Sequence, residues 1–289
     1  DLPVPRTVAL SFAEVHRIAA GQMPDMAALL AHFDPDALLC VRPSSEDPDW
    51  GGPGAVLNIG MNDARYVALT ESIGHDASAS LYMRFVQGYA IHVARLDPDL
   101  FDEIEDVGQA GLSAALAAYE EEAEEVFPQD PAVQLREVLR SMARAWEGTT
   151  ARLLRQAKGA PVDAGLGLVV QEMAPGLGKG ECGSGVLQLV DSDTGLPQIT
   201  GRYLSQSQGR EALKHRNTSL FLEKDPRGPS LEELAPEAFH QLKANAELMR
   251  RKLRAEMQIE FTIQNGQVHI LDGMRVQRSS RAAVRIAVR

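Results

Sequence analysis

A change of pattern near Gly165 constrains this fold more than any other feature of the sequence. Between Asn62 and about Gln156, apolar residues recur at helical spacing, and no strand pattern of comparable strength interrupts them. After Gly165, short β-prone runs alternate with glycine-rich turns. The order is mixed at first, then helical, then strand-rich with helices, which predicts an α+β or mixed α/β chain.

Length and composition limit the classes of protein that fit this pattern. A chain of 289 residues suggests about two domains. The 44% hydrophobic and 24% charged residues are typical of a globular protein with a sizeable core. No apolar run reaches about 18 residues, so we expect no transmembrane helix. We expect no signal peptide at Asp1–Arg6, and the start at Asp1 suggests a missing leading segment.

Net charge and cysteine content limit the binding partners and the cellular compartment that suit this chain. The net charge of −11 argues against nonspecific binding to nucleic-acid phosphates. The acidic run at 120–125 is typical of a solvated helix face. Cys40 and Cys182 form neither a disulfide framework nor a zinc signature, so we expect a reducing, cytoplasmic location.

Capping signals and hydrophobic periodicity locate the elements. The predicted helices cover 12–20, 25–32, 62–73, 78–93, 112–126, 133–146 and 236–256, with a last one from about 279. The predicted strands cover 37–42, 166–173, 186–190, 199–204, 257–264 and 267–272. Asn265-Gly266 predicts a hairpin with a type I′ turn between the last two strands.

A glycine-rich stretch, Gly176–Gly185, lies between two predicted strands. Glycines let backbone N–H groups approach and wrap a phosphate chain. The stretch is not a Walker loop, because no Gly-Lys-Ser/Thr opens a helix. Two interpretations stay open here, a phosphate-binding loop and a mobile hairpin connection.

Arg42 ends a predicted buried strand and faces a loop. An arginine at a strand end suits bidentate contact with phosphate or carboxylate. The alternative is an ordinary surface or ion-paired arginine.

Glu260 lies on the polar face of the predicted hairpin, with Gln258 and Thr262. A carboxylate there suits Mg²⁺, which prefers oxygen ligands and bridges phosphates. A simple two-residue turn pairs Ile259 with Asp272, which places Asp272 on the opposite face. The two carboxylates share an ion only if the strand twists or bulges. The alternative is a solvated sheet face.

Three collinear stretches resemble the N-terminal nucleotide-binding domain of pyruvate phosphate dikinase, which is related to that of phosphoenolpyruvate synthase. The stretches are Val41–Ser45 with Val56–Asp63, Val170–Gly185 with Gly201–Gly209, and Met257–Ile263 with Ala282–Ala287. Leu2–Pro5 and Arg84–Gln87 also fit, so the resemblance covers nearly the whole chain.

The resemblance implies an ATP-grasp-like, two-lobed nucleotide-binding fold with a helical insertion. It divides the chain into a first lobe at 1–63 with a return at 132–164, a helical subdomain at 64–131, and a strand-rich lobe at 165–289. It implies ATP and Mg²⁺ as cofactors, and transfer of a phosphoryl group to a histidine on a separate domain. A further domain acts on pyruvate or phosphoenolpyruvate, and neither of these domains is in this sequence. No nucleic acid or membrane partner is implied.

The resemblance also assigns site residues. Arg42 matches a phosphate-contacting arginine, and Glu260 matches a carboxylate of the ATP–Mg²⁺ site, with Asp272 as a second metal candidate. The strand and hinge beside the adenine match Gln171, Glu172, Met173 and Ala174. The loop that covers the phosphates matches Gly178, Gly180, Glu181, Gly183, Ser184 and Gly185.

Several positions depart from the family pattern. The family has an acid at Gln258, a glutamine at Asp272, an arginine at Met274, a glutamate at Arg202 and a Thr/Ser-Arg pair at Leu189-Val190. Loss of one charge-stabilising group often costs about 10² to 10³ in rate. Two hypotheses therefore remain, a phosphotransferase and a degenerate relative that binds a nucleotide or a protein without catalysis.

Overall fold

The computed structural model describes residues 1–208 and 218–288. The chain divides into two compact units, the first formed by Arg6–Met173 and the second by Asp1–Pro5 with Ala174–Arg289. Each unit combines helices with a four-stranded antiparallel sheet, which confirms the α+β class. The ATP-grasp-like arrangement stays a prediction, and Gly209 of the second matching stretch lies outside the described residues.

The sheet of the first unit has the strand order β1-β4-β2-β3. Its strands are β1 (Thr7–Leu10), β2 (Leu39–Ser45), β3 (Val56–Ile59) and β4 (Leu166–Glu172). The resemblance places the predicted strand at 166–173 in the strand-rich lobe at 165–289. It instead pairs with β1 and β2, and the second unit begins at Ala174.

The helices of the first unit fill the long middle of the chain, as the periodicity predicts. They are α1 (Phe12–Ala19), α2 (Met26–Leu30), α3 (Asp63–Ile73), α4 (His75–Tyr89), α5 (Gln109–Ala123), α6 (Pro131–Glu147) and α7 (Thr149–Ala157). The carboxylate of Asp130 caps α6 by accepting the N–H of Ala132, and Pro131 occupies the first turn. Helix α6 packs against α1 and the sheet.

Alternation along the strands gives this first sheet two different faces. One face is apolar and buried, with Val41 opposite Val170 and Val8 next to them. The other face carries Arg42 and Gln171. The helices cover the apolar face because it is the one that gains free energy when it leaves water.

The sheet of the second unit has the order β6-β5-β7-β8. Its strands are β5 (Gly183–Val190), β6 (Pro197–Ser205), β7 (Met257–Gln264) and β8 (Gln267–Arg275); its helices are α8 (Leu231–Leu234), α9 (Pro236–Leu253) and α10 (Ser280–Ala287). The core lies between one face of this sheet and α9, where Phe239 and Leu242 pack against Ile259 and Phe261.

The hairpin β7–β8 forms as the Asn-Gly pair predicts. Asn265 and Gly266 have φ angles of 52° and 76°, the positive values that a type I′ turn requires. The simple register holds only from the turn to Phe261, which lies opposite Ile270. Beyond it, Leu271 is the extra residue of a β-bulge. The prediction that Ile259 pairs with Asp272 is therefore wrong, because the bulge shifts the partner by one residue.

Gly185 is required by packing on the core face of the second sheet. It lies between Tyr203 and Phe261, whose rings stack at 6.0 Å with an interplanar angle of 7°. A Cβ at Gly185 would lie 2.5 Å from the Arg202 carbonyl oxygen and 2.6 Å from the Phe261 ring. Its lack of a side chain therefore lets the two rings meet across β5.

We expect Gly185→Ala to destabilise the second unit by about 1–3 kcal/mol, the usual cost of overpacking a core. Urea unfolding followed by circular dichroism measures the change. The matched control is Gly228→Ala in the same unit, where the nearest atom to a new Cβ is 3.5 Å away. Equal stability of the two variants would contradict this account of Gly185.

Candidate functional site

The face of the second sheet that does not belong to the core carries a row of charged residues. The strand registers place Arg202 opposite Val186, Val186 opposite Glu260, and Glu260 opposite Asp272. Residues directly opposite on neighbouring strands point to the same face. The row therefore crosses all four strands, with a cation at one end and two carboxylates at the other.

The bulge at Leu271 brings the two predicted metal ligands together. Glu260 lies directly across from Asp272; it is only 8% exposed, whereas Asp272 is exposed. The alternative of a fully solvated sheet face therefore does not fit Glu260. Like charges directly opposite destabilise a sheet. The pair thus suits a shared cation, and Mg²⁺ is often held by one or two carboxylates together with phosphate oxygens.

Thr262 adds an unusual hydroxyl beside this pair. It lies two residues from Glu260 on the same face, and its side chain is 1% exposed. Its Oγ1 is buried without a hydrogen-bond partner. A buried polar atom that is left unsatisfied costs free energy and calls for an explanation, such as an unseen ligand. This orphaned hydroxyl fits a polar ligand at the carboxylate row.

The next row of residues on the same face consists of Gln188, Gln258 and Met274, and it departs from the family pattern. Gln188 Nε2 donates to Gln258 Oε1 at 2.6 Å, so an amide pair stands where the resemblance expects an acid. Met274 lies opposite Gln258 on β8. This row supplies no charge to a bound phosphate.

The glycine-rich stretch is held in place by side chains of its own unit. The N–H groups of Gly176 and Gly178 donate to Gln264 Oε1 at 2.9 Å and to Gln206 Oε1 at 3.1 Å. Gln264 also donates to the Leu177 carbonyl. Two of the backbone donors are therefore already used, and the exposed part of the loop is Lys179-Gly180.

The remaining predicted loop residues belong to strand β5 or to its core side. Gly183, Ser184 and Gly185 lie in β5. The Glu181 carboxylate accepts hydrogen bonds from Tyr203 Oη at 2.5 Å and Ser205 Oγ at 3.0 Å. Hydrogen bonding joins the Ser184 and Ser207 hydroxyls at 2.8 Å. Glu181 and Ser184 therefore each have a structural partner.

The first unit has a smaller polar cluster on its own sheet. Arg42, Cys40 and Gln171 share one face, and Gln171 Nε2 donates to Thr7 Oγ1 at 2.9 Å. Burial raises the pKa of the Cys40 thiol, and the adjacent Arg42 guanidinium partly opposes that shift. The Gln171 Oε1 is buried without a hydrogen-bond partner. As at Thr262, the unsatisfied oxygen suits a polar ligand.

The residues that follow Gln171 are held by contacts within the first unit. Glu172 accepts the Asp34 N–H at 2.8 Å and lies 3.7 Å from Arg6. The Met173 N–H donates to the Leu38 carbonyl at 2.7 Å. Ala174 is buried and begins the second unit. Glu172 and Met173 thus already contact other parts of the first unit, and the assignment of Gln171–Ala174 to the adenine side stays a prediction.

Neither a metal-binding cluster of side chains nor a membrane-spanning helix occurs among the described residues. No group of three or more His, Cys, Asp or Glu side chains is placed to hold a metal ion there. No helix among residues 1–208 and 218–288 is long and apolar enough to cross a bilayer. A metal at Glu260 and Asp272 would therefore need further oxygen ligands from a bound phosphate.

Sequence reasoning missed the orphaned hydroxyl of Thr262 and the hydrogen bond between Thr7 and Gln171. Both depend on pairing between strands that are far apart in sequence. The alternation of β7 was the only signal, since it put Thr262 on the face of Glu260. No local pattern predicts the partner of Gln171.

Comparison with known proteins supports the resemblance that the motifs carry. No family model matches the chain. A pyruvate, phosphate dikinase of Rhizobium meliloti (strain 1021) is 30% identical over 279 residues, which cover 87% of this chain and 31% of that protein. The chloroplastic pyruvate, phosphate dikinase of Flaveria trinervia is 28% identical over 281 residues, 91% of this chain and 29% of that protein.

A third relative agrees with the first two. The pyruvate, phosphate dikinase of Rickettsia typhi is 28% identical over 269 residues, 87% of this chain and 30% of that protein. The chain thus spans about 30% of the length of the curated relatives it matches. The predicted resemblance to this family is confirmed.

Proposed function

From its similarity to pyruvate, phosphate dikinases over most of its length, we propose that this chain binds ATP with Mg²⁺ as the nucleotide-binding part of a phosphotransferase. The observation that carries the proposal is the position of Glu260 directly opposite Asp272 on the neighbouring strand. In the proposed complex, Glu260 and Asp272 would hold Mg²⁺, and Arg42 would contact the phosphates. When bound, ATP would supply the phosphoryl group, and Mg²⁺ would neutralise the charge that develops on it.

The residues of the chain would bind and orient the nucleotide. The guanidinium of Arg42 offers paired N–H donors to phosphate oxygens. Gln171 offers a buried amide oxygen without a partner, which suits the amino group of an adenine. Gly180 lies in the exposed part of the loop, where it would contact phosphates, and Gly178 would need to release Gln206 to do the same.

The proposed acceptor is a histidine on a separate domain, and the chemistry that follows concerns pyruvate or phosphoenolpyruvate. The support is the family resemblance alone. The test is transfer of label from β-labelled ATP to a histidine-bearing domain of a pyruvate, phosphate dikinase supplied in trans. We expect acid-labile, base-stable label on that domain. Absence of transfer while ATP binds would contradict catalysis and leave binding in place.

The second candidate is a relative that binds a nucleotide or a protein partner without catalysis. The hydrogen-bonded Gln188–Gln258 pair favours it, because neutral amides stand where a charged group would act on a phosphate. The loop amides that bond to Gln264 and Gln206 favour it as well. Binding without transfer supports this candidate, and transfer that disappears in Arg42→Ala rejects it.

A further inference from the structure

A cavity of about 570 Å³ lies on the helix-covered side of the first sheet. One part of its wall is formed by Leu39 and Ile59, which are paired between β2 and β3 and are both buried. Side chains alternate along β2, so Leu39 points away from the face that carries Arg42 and Gln171. The sheet therefore separates this cavity from the face on which we place the nucleotide.

The rest of the wall is mostly apolar. It comes from the end of α2, from the residues that lead into β2 and from the start of α6, and it includes Leu30, Phe33, Pro35, Ala37 and Pro131. Sites for small molecules typically have volumes of about 300–1,000 Å³, an apolar lining and a few polar groups that orient the ligand. The volume and the lining of this cavity both fit that description.

Arg65, in the first turn of α3, brings a cation to the cavity. Its Nη1 donates to Asp36 Oδ1 at 3.0 Å, the one hydrogen bond of this guanidinium within residues 1–208 and 218–288. The Asp36 side chain is 85% exposed, so this ion pair contributes little to stability. A guanidinium has five N–H donors. Those on Nε and Nη2 therefore remain for a ligand.

Two carboxylates, those of Asp34 and Asp130, line the same cavity. Asp34 Oδ1 accepts the Asp36 N–H at 2.9 Å, and Asp130 Oδ1 accepts the Ala132 N–H at 2.8 Å. Each of these bonds occupies one carboxylate oxygen, and the other oxygen keeps its capacity to accept. The apolar cavity thus presents charges of both signs.

The start of α3 lies against the segment that precedes α6, because Asn62 Nδ2 donates to the Gln129 carbonyl at 2.9 Å. This contact brings Arg65 and Asp130 to neighbouring parts of the wall. A ligand with a charge of one sign alone would meet a like charge there, whereas a ligand with both signs satisfies both groups.

We propose that this cavity binds a zwitterionic small molecule with an apolar body, of the class of α-amino acids that have a large apolar side chain. The Arg65 guanidinium holds the carboxylate of the ligand through paired N–H donors. The Asp130 carboxylate accepts from its ammonium group, and its apolar body packs against Leu39 and Phe33. The inference is independent of the proposed nucleotide site.

The test is calorimetric titration of the whole chain with L-phenylalanine and with two analogues that each lack one charged group, phenylpropanoate and phenylethylamine. We expect each analogue to bind about 10- to 100-fold more weakly than phenylalanine, as loss of a charge-assisted hydrogen bond does. Glycine has both charges but no apolar body, so its binding should be undetectable.

Two variants assign the charged groups. Arg65→Gln should weaken the binding of phenylalanine by about 10- to 100-fold without weakening that of phenylethylamine. Asp130→Ser keeps a residue that caps a helix well, and it should weaken the binding of phenylalanine without weakening that of phenylpropanoate. Melting temperatures confirm that each variant folds.

The matched controls are Arg144→Gln, an exposed arginine near the end of α6, and Asp97→Ser, which replaces another capping aspartate of the same unit. Both should leave the affinity for phenylalanine unchanged. Undetectable binding of phenylalanine at millimolar concentration, or equal affinities of wild type and Arg65→Gln, overturns the inference. If one analogue binds as tightly as phenylalanine, the cavity takes a singly charged ligand and the zwitterion is rejected.

Discussion

Glu260→Gln is expected to weaken the binding of ATP–Mg²⁺ by about 10- to 100-fold, equivalent to about 1.4–2.8 kcal/mol. The substitution keeps the shape of the side chain but removes one of the two opposed carboxylates that would hold the ion. A neutral amide is a weaker ligand for a hard cation than a carboxylate. Affinity for ATP in the absence of Mg²⁺ should change much less. Calorimetry at several Mg²⁺ concentrations measures both.

Stability gives a second readout for the same variant. The melting temperature of the ligand-free protein shows whether Glu260→Gln folds as wild type does. Glu237→Gln, an exposed carboxylate in the first turn of α9, is the control and should leave affinity unchanged. If Glu260→Gln keeps full affinity for ATP at limiting Mg²⁺, Glu260 does not bind the metal.

Arg42→Ala is expected to weaken ATP binding by about 10- to 100-fold, with or without Mg²⁺. The guanidinium forms charge-assisted hydrogen bonds that contribute about 1.5–3 kcal/mol each. Arg42→Lys should retain only part of the affinity, because an ammonium group lacks the planar pair of donors. The affinity is measured by the same titration, so the two variants are directly comparable.

The control for Arg42 is Arg144→Ala, an exposed arginine near the end of α6 in the same unit. It removes the same charge away from the polar sheet face, so it separates a specific contact from a general change in net charge. Equal losses in Arg42→Ala and Arg144→Ala would mean that the effect is a long-range electrostatic one and that Arg42 does not contact the nucleotide.

Local signals predicted the elements of the fold well. The hairpin shows why, since alternation along 257–264 and the Asn-Gly pair fix strand, turn and face within a few residues. The same holds for α6, where Asp130 and Pro131 mark the start and the apolar stripe marks the buried face. These features depend on residues that are close together in the chain, so one sequence is enough to predict them.

Contacts between distant segments could not be predicted in the same way. The bulge at Leu271 decides whether Glu260 and Asp272 share a face, and no local sequence pattern marks it. The resemblance assigns Gly185 to a phosphate loop, whereas its packing role, which lets Tyr203 stack on Phe261, depends on strand pairing. The motif resemblance indicated Glu260 and Arg42, and strand pairing supplied the geometry around them.

Calorimetric titration of the chain with ATP, with and without Mg²⁺, tests the central claim most directly. The account predicts saturable binding of one nucleotide per chain that is strengthened by Mg²⁺ and lost in the double variant Arg42→Ala/Glu260→Gln. The folded state of the double variant is checked by its melting temperature. Undetectable binding to the wild-type chain at millimolar ATP–Mg²⁺, or undiminished binding to the folded double variant, would contradict it.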